Sequence, residues 1–327
     1  MQKIALYCSA EKGCYHCGLC PHSCTLSSGQ TGLCGVRTAY ESGIFSENYA
    51  LVTAMALDPI EKKPLYHFYP GTKILSIGSA GCNLRCCFCQ NHEISQANPG
   101  GKTILPEEMV NQAGKNGSIG VAYTYNEPSI WFEFVLDCSR LVRKAGLKNV
   151  LVTNGYISSE PLEEIIGCID AMNIDLKSMN HETYRKICGG ELDPVLQTIR
   201  RASELTHLEV THLVVPEVND RIEEFDLLLD FMKELKGNPV LHISRYHPGF
   251  QYHKPATDIS VLNKFYCRAK ERLSFVYLGN VSDSRASSTT CPSCGKIVIE
   301  RSGYQITNLM NSSNCPECGR QISGVFQ

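Results

Sequence analysis

The chain has 327 residues, 43% of them hydrophobic and 20% charged, an ordinary globular composition with room for one large catalytic domain and small appendages. A formal charge of −2 creates no overall field that would draw nucleic acid or a membrane surface, so neither is expected as a partner. The N-terminus MQKIALYCSA lacks the form of an export signal and no later stretch reaches membrane-spanning length, so a cytoplasmic location is expected.

The 18 cysteines carry the most information. With no export signal to favour disulfides, clustered thiols point to metal ligands. They fall in three groups, Cys8 to Cys34, Cys82 to Cys89 and Cys291 to Cys318. Cys138, Cys168, Cys188 and Cys267 are scattered and read as small buried apolar residues.

Taken in chain order, residues 1–70 form a Cys-, Gly- and Ser-rich region with little sustained periodicity. There Cys17-x2-Cys20-x3-Cys24-x9-Cys34 spaces four thiols for a closed site, with Cys14 as a competing ligand. Zinc and an auxiliary iron–sulfur cluster both fit, disulfides less well, and the reading leans to zinc.

Residues 71–283 alternate strand-like and helical runs. The strand-like runs are 73–79, 119–125, 149–153, 171–177, 208–215, 240–246 and 275–279. Helical candidates include 130–146, 193–206 and 221–237, the last with a stripe of Ile222, Phe225, Leu228, Leu229 and Met232. This alternation implies a parallel sheet with helices outside it, an α/β barrel or a doubly wound sheet. Chemistry in such folds collects at the C-terminal strand ends. Polar residues follow the apolar runs there: GCNLRCCFCQN, then NEP, NGY, DLKS, RYHP and GNV. Turn chemistry explains the Gly, Asn and Pro but not Glu127, Lys177 and His247 at matching ends.

The loop after the first run carries Cys82-x3-Cys86-x2-Cys89. Three thiolates on one tight loop can ligate three irons of a cubane and leave the fourth open, whereas most clusters take four cysteines. Zinc loops usually pair two C-x2-C units, and ferredoxins space their cysteines differently. Cys87 reads as a bystander.

Residues 284–327 open with the Ser/Thr linker SRASSTT and carry Cys291-x2-Cys294 and Cys315-x2-Cys318, each pair followed by glycine. Two such knuckles make a closed four-thiolate site of zinc-ribbon type, with a folding or docking role.

The C-x3-C-x2-C loop, with Phe88 before its last cysteine, resembles the signature of the radical SAM superfamily. The resemblance implies a partial (β/α) barrel of about six units, a 4Fe–4S cluster at Cys82, Cys86 and Cys89, and S-adenosylmethionine (SAM) as cofactor. One electron from a flavodoxin- or ferredoxin-type donor would cleave the SAM sulfonium to methionine and a 5′-deoxyadenosyl radical. AYTYNEP resembles the segment that holds the SAM amino group in many members, which would give Asn126 and Glu127 that role. Asp175, Lys177 and His247 resemble SAM-contacting residues of pyruvate formate-lyase activating enzyme. Asn154 and Asn280, at other strand ends, have weaker claims. Glu127 by itself also fits a helix N-terminal residue favoured by the dipole.

Across nearly the whole chain, CGLCPHSC…GLCGVR, DPIEKKPLYHFYPG, GCNLRCCFCQNHEISQ, AYTYNEPSIW and the terminal ribbon resemble the radical SAM enzymes of the AmmeMemoRadiSam system. That resemblance carries over fold and radical chemistry but no substrate, and Cys8 and Cys14 depart from it. The expectation is a radical enzyme acting on a small molecule, for instance a lyase similar to queuine lyase. A glycyl-radical-enzyme activase with a partner protein is an alternative, and an electron-transferring docking protein a more distant one.

Overall fold

The seven apolar runs become seven parallel strands of one sheet. The computed structural model describes residues 1–11, 13–97, 99–281, 286–310 and 312–326. The parallel strands are β2 (Lys73–Gly78), β3 (Gly120–Tyr123), β4 (Lys148–Thr153), β5 (Ala171–Asp175), β6 (His207–Val214), β7 (Val240–Arg245) and β8 (Val276–Gly279). An eighth strand, β1 (Ala54–Pro59), pairs antiparallel with β2, and the order across the sheet is simply β8 to β1. The sheet thus reaches back across the residue-71 boundary read from composition. The other boundary, between residues 283 and 284, falls outside the described residues.

Six helices alternate with the parallel strands: α1 (Pro106–Lys115), α2 (Phe132–Lys144), α3 (Ser159–Ile166), α4 (Leu192–Leu205), α5 (Ile222–Glu234) and α6 (Ile259–Lys270). This is the expected partial barrel of about six β/α units, with β1 and β8 as its edges. In α5 the stripe packs inward as its spacing predicts, with Phe225, Leu228, Leu229 and Met232 buried. The stretch expected as one helix over 130–146 divides. Its first two residues, Ile130 and Trp131, end a 3-10 turn over Pro128–Trp131 that Pro128 opens, and α2 begins only at Phe132.

The lumen of the barrel carries polar residues at several strand positions. Glu209, Thr211 and Leu213 of β6 follow one another at the two-residue period of a strand face, and Thr211 donates to Asn173 of β5 at 2.9 Å. The connection between β1 and β2 closes the N-terminal end of the barrel. Backbone N–H groups of Tyr66 and His67 donate to the Glu209 carboxylate at 2.9 and 2.7 Å. His242 and His207 add contacts of 2.6 and 2.9 Å, and together these bonds outweigh burial and hold that carboxyl well below its usual range.

The C-terminal module, with strands Thr289–Thr290, Ile297–Ser302 and Gln305–Asn308, packs against the same end. Its Val298, Ile299 and Ile322 form one core with Val240, Phe275 and Tyr277. The N-terminal region forms two three-stranded antiparallel sheets, one of them built from Cys8–Glu11, Cys14–Cys17 and Cys24–Leu26. None of the described helices is long and apolar enough to cross a membrane.

Candidate active site

Every strand-end motif named from sequence arrives at one end of the barrel. A cavity of about 290 Å³ there is lined by Cys82, Cys86 and Cys89 together with Asn126, Glu127, Asn154, Asp175, Lys177 and Asn280. Cys87 does not line it; its carbonyl accepts from Gln251 N at 3.0 Å. Three of the four thiols on the loop therefore face the cavity, and they are the three that the spacing selects.

The loop is fixed from several sides. Gly81 sits at φ +88°, and a Cβ there would stand 2.5 Å from the carbonyl oxygen of Cys34, so the loop enters only with glycine at this position. The side chain of Asn126 bonds three backbone groups of the loop's approach. Its oxygen accepts from Ser79 N at 3.0 Å and its amide donates to the carbonyls of Ala80 and Gly81 at 3.3 and 3.0 Å. Asn126 thus braces the loop. Tyr125 before it holds φ +73°, a conformation uncommon for a bulky residue, and bonds Asp58 through its hydroxyl at 2.7 Å. Leu84 N and Asn154 Nδ2 donate to the Cys82 sulfur at 3.3 and 3.6 Å.

Glu127 is buried and caps the 3-10 turn, as the simpler sequence reading has it. Its Oε1 accepts from Ser129 N at 2.9 Å and Thr153 Oγ1 at 2.6 Å, and its Oε2 from Asn154 N at 2.7 Å. A carboxylate offers about four acceptor positions, so one remains, on Oε2. Burial pushes its carboxyl pKa up, and the three donors oppose that shift. Asp175 and Lys177 pair at 3.2 Å on the cavity wall. Burial alone would pull the Lys177 ammonium down, but Asp175 and neighbouring groups hold it well above its ordinary value.

His247 stands slightly apart. It is exposed and lines a second cavity of about 460 Å³ with His92 and Pro248. Cys89, Gln90 and Asn280 line both cavities, so the two adjoin.

Several site residues escaped the sequence reading. Thr211, Leu213 and Ser244 face the cavity from inside strands, and Pro64 from the β1–β2 connection. Polar residues at alternate places in apolar runs were the available signal for Thr211 and Ser244. Cys188, read as a scattered single, comes within hydrogen-bond reach of the Cys86 thiol, and its carbonyl accepts from Arg85 N at 2.7 Å. At the C-terminus Cys291, Cys294, Cys315 and Cys318 bring their sulfurs within 4.8 Å of one another.

The radical SAM superfamily profile matches residues 76–232, which begin inside β2 and include the cysteine loop. An uncharacterized protein of Methanocaldococcus jannaschii is 39% identical over 336 residues, covering 100% of both chains. The pyruvate formate-lyase 1-activating enzyme of Escherichia coli K12 is 25% identical over 188 residues, 54% of this chain and 75% of that one. Among solved structures, Streptococcus suis SuiB bound to S-adenosylmethionine superposes with a TM-score of 0.52 at 16% identity, covering 68% of this chain and 53% of that one. That likeness supports the fold. Fold, loop and profile together define a radical SAM enzyme, and the chain belongs to the radical SAM superfamily.

A 4Fe–4S cluster and SAM are the cofactors that membership implies. The donor set suits them. Among the described residues three thiols line one cavity, and its wall also carries the Asp175–Lys177 pair and Glu127, whose Oε2 has one acceptor position left.

Proposed function

We infer that the protein reductively cleaves SAM at a cluster held by Cys82, Cys86 and Cys89, and uses the resulting radical to take hydrogen from a small molecule. The observation that carries this reading is the single cavity shared by those three thiols and the polar strand ends. When bound, the cluster supplies one electron to the SAM sulfonium and opens the C–S bond.

The chain's own residues hold and orient. Glu127 Oε2 has its remaining acceptor position for the SAM ammonium, a charge-assisted contact. The Lys177 ammonium and the Asp175 carboxylate offer opposite charges to the other polar groups of the cofactor, while Asn154 fixes the Cys82 sulfur. Asn126 serves by bracing the loop. His247 faces the adjoining cavity, which extends the space beyond the thiols and suits a small substrate beside the cofactor. A flavodoxin- or ferredoxin-type protein would deliver the electron.

The C-terminal thiols hold zinc in this reading. Sulfurs about 2.3 Å from one ion in a tetrahedron lie about 3.8 Å apart. Cys291 and Cys318 stand at 3.5 Å, and Cys294 and Cys315 at 3.7 Å. The module sits at the barrel end away from the cavity, so its zinc serves folding.

Anaerobically reconstituted protein, reduced with dithionite in the presence of SAM, is expected to release 5′-deoxyadenosine and methionine. A fully cluster-loaded sample that releases neither contradicts the reading.

A further inference from the structure

The run GCNLRCCFCQNHEISQ continues past its cysteines, and the residues after Cys89 turn back onto the loop. A single helical turn, His92–Ser95, carries them. The Ile94 carbonyl accepts from Gly81 N at 2.9 Å, at the loop's entry. Gln96 donates from Nε2 to the Leu84 carbonyl at 3.0 Å, and its Oε1 accepts from the Arg85 guanidinium at 2.7 Å. Between these two, Ser95 is 3% exposed and sets its Oγ 3.2 Å from the Cys89 sulfur. The N-terminal region meets the loop on backbone instead. His22 Nε2 bonds the Asn83 carbonyl at 2.7 Å, and the Arg85 guanidinium reaches the Leu33 carbonyl. Cys17, Cys20, Cys24 and Cys34 of that region line a separate buried cavity of about 10 Å³.

The direction of the Ser95 bond follows from its partners. Gln96 Nε2, 3.5 Å away, can only donate to Ser95 Oγ, so among the described residues the Cys89 sulfur is the acceptor for the hydroxyl hydrogen. An iron-bound thiolate carries no hydrogen of its own, which leaves Ser95 as the donor once the loop holds its cluster. The backbone N–H of Ser95 is engaged separately, with the Asn91 carbonyl at 3.0 Å. Cys89 lines both the thiol cavity and the adjoining one beside His247, so this bond acts on the ligand where the two spaces meet.

We propose that Ser95 is a positioning residue for the loop cluster: its hydroxyl donates to the Cys89 sulfur, holds that ligand in place and raises the cluster's reduction potential. The proposal rests on the cluster inferred above at Cys82, Cys86 and Cys89. Reduction adds one negative charge that the cluster shares with its sulfurs, and a buried O–H aimed at sulfur stabilises the reduced state more than the oxidised one. The electron comes from a flavodoxin- or ferredoxin-class donor, Ser95 keeps its proton, and no bond is made or broken in this step. Asn154 approaches the Cys82 sulfur at 3.6 Å from the end of β4, so two of the three ligands each carry one side-chain donor. A cluster held at higher potential takes its electron more readily and passes it on to SAM with less driving force.

The test is a redox titration of the anaerobically reconstituted full chain, without SAM, followed by electron paramagnetic resonance of the reduced cluster. Ser95→Ala should lower the equilibrium constant for reduction roughly two- to tenfold, the worth of one neutral hydrogen bond. Ser95→Thr keeps the hydroxyl and should stay within about twofold of the unmodified protein. A Ser95→Ala cluster as easily reduced as the unmodified one overturns the proposal. Because alanine also removes packing, Ser95→Val is set against Ser95→Thr, which matches its shape and adds only the hydroxyl. A lower equilibrium constant in the valine variant supports the proposal, and equal constants overturn it. A serine with a purely structural role would change stability or cluster content and leave the potential where it was. Failure of the underlying reading looks different: unmodified protein that takes up no cluster contradicts both, whereas a fully loaded cluster indifferent to Ser95 contradicts this proposal alone.

Discussion

The side-chain amide of Asn154 lies 3.6 Å from the sulfur of Cys82, so a donor at the end of β4 reaches a thiol on the loop after β2. The same residue accepts from Tyr156 N through its oxygen, donates to Asn83, and gives its backbone N–H to Glu127. Hydrogen bonds to a cluster sulfur favour the reduced, more negative state and raise its potential. Asn154→Ala should therefore lower the potential of the loop cluster. One neutral hydrogen bond, about 1 kcal/mol, corresponds to about 40 mV for one electron. Redox titration of the cluster checks this, and an unchanged or higher potential contradicts it.

Glu127 is expected to act twice, as a structural acceptor and as a ligand. Glu127→Gln replaces one oxygen with an N–H donor facing either Asn154 N or the Ser129 N and Thr153 donors. The fold should lose about 1–3 kcal/mol, and SAM affinity should fall roughly ten- to a hundred-fold in samples of equal cluster content. A stability loss with unaltered SAM affinity would leave Glu127 a capping residue only.

The C-terminal module should be separable from the chemistry. It packs against Val240, Phe275 and Tyr277 at the closed end of the barrel, and Arg301 donates to the Tyr66 carbonyl at 2.6 Å. Cys315→Ser is expected to release zinc and lower thermal stability, because metal binding and folding are coupled in such modules. SAM cleavage per cluster-loaded molecule should persist. A stable variant with full cluster content and no cleavage would place the module in the reaction.

His67 gives the fold a pH dependence. Its Nδ1 bonds the Ser323 carbonyl and its Nε2 the Tyr277 hydroxyl, both at 2.6 Å, and burial pulls its pKa from 6.5 to about 4. The folded chain keeps this imidazole neutral, while the unfolded chain takes up a proton below pH 6.5. Its stabilising contribution is thus whole above pH 6.5 and falls as pH drops toward about 4, by about 3 kcal/mol in all. Thermal unfolding of wild type and His67→Gln from about pH 7.5 to about pH 4.5 tests this. The variant should be less stable at neutral pH with a shallower decline, and parallel declines contradict the assignment.

The fold was legible where its pattern was strong. Apolar runs such as 149–153 and 240–246 coincide with β4 and β7 to within a residue or so, because strands covered on both faces read as near-continuous hydrophobic stretches. β1 was not, since Ala54–Pro59 is an edge strand with Met55 and Leu57 exposed, so its residues do not alternate between a buried and an open face. Of the site, the cluster loop and the polar strand ends were legible because ligand spacing and strand-end position are local properties. The bracing contacts of Asn126 with Ser79, and those of Glu127 with Thr153 and Asn154, were not, since these partners lie 26 to 47 residues away in sequence, whereas the cap of Glu127 on Ser129 is local. Cys188 escaped for the same reason: only the fold brings it to Cys86.

The central claim is that three thiols of this loop, and not the fourth, start the chemistry. Cys86 is buried on the cavity wall, while Cys87, beside it in sequence, does not line that cavity. The direct measurement is 5′-deoxyadenosine release from SAM by anaerobically reconstituted Cys86→Ala and Cys87→Ala proteins under dithionite. The account predicts that Cys86→Ala abolishes release and that Cys87→Ala retains most of it. Full release by Cys86→Ala, or its loss in Cys87→Ala with the cluster intact, would contradict the account.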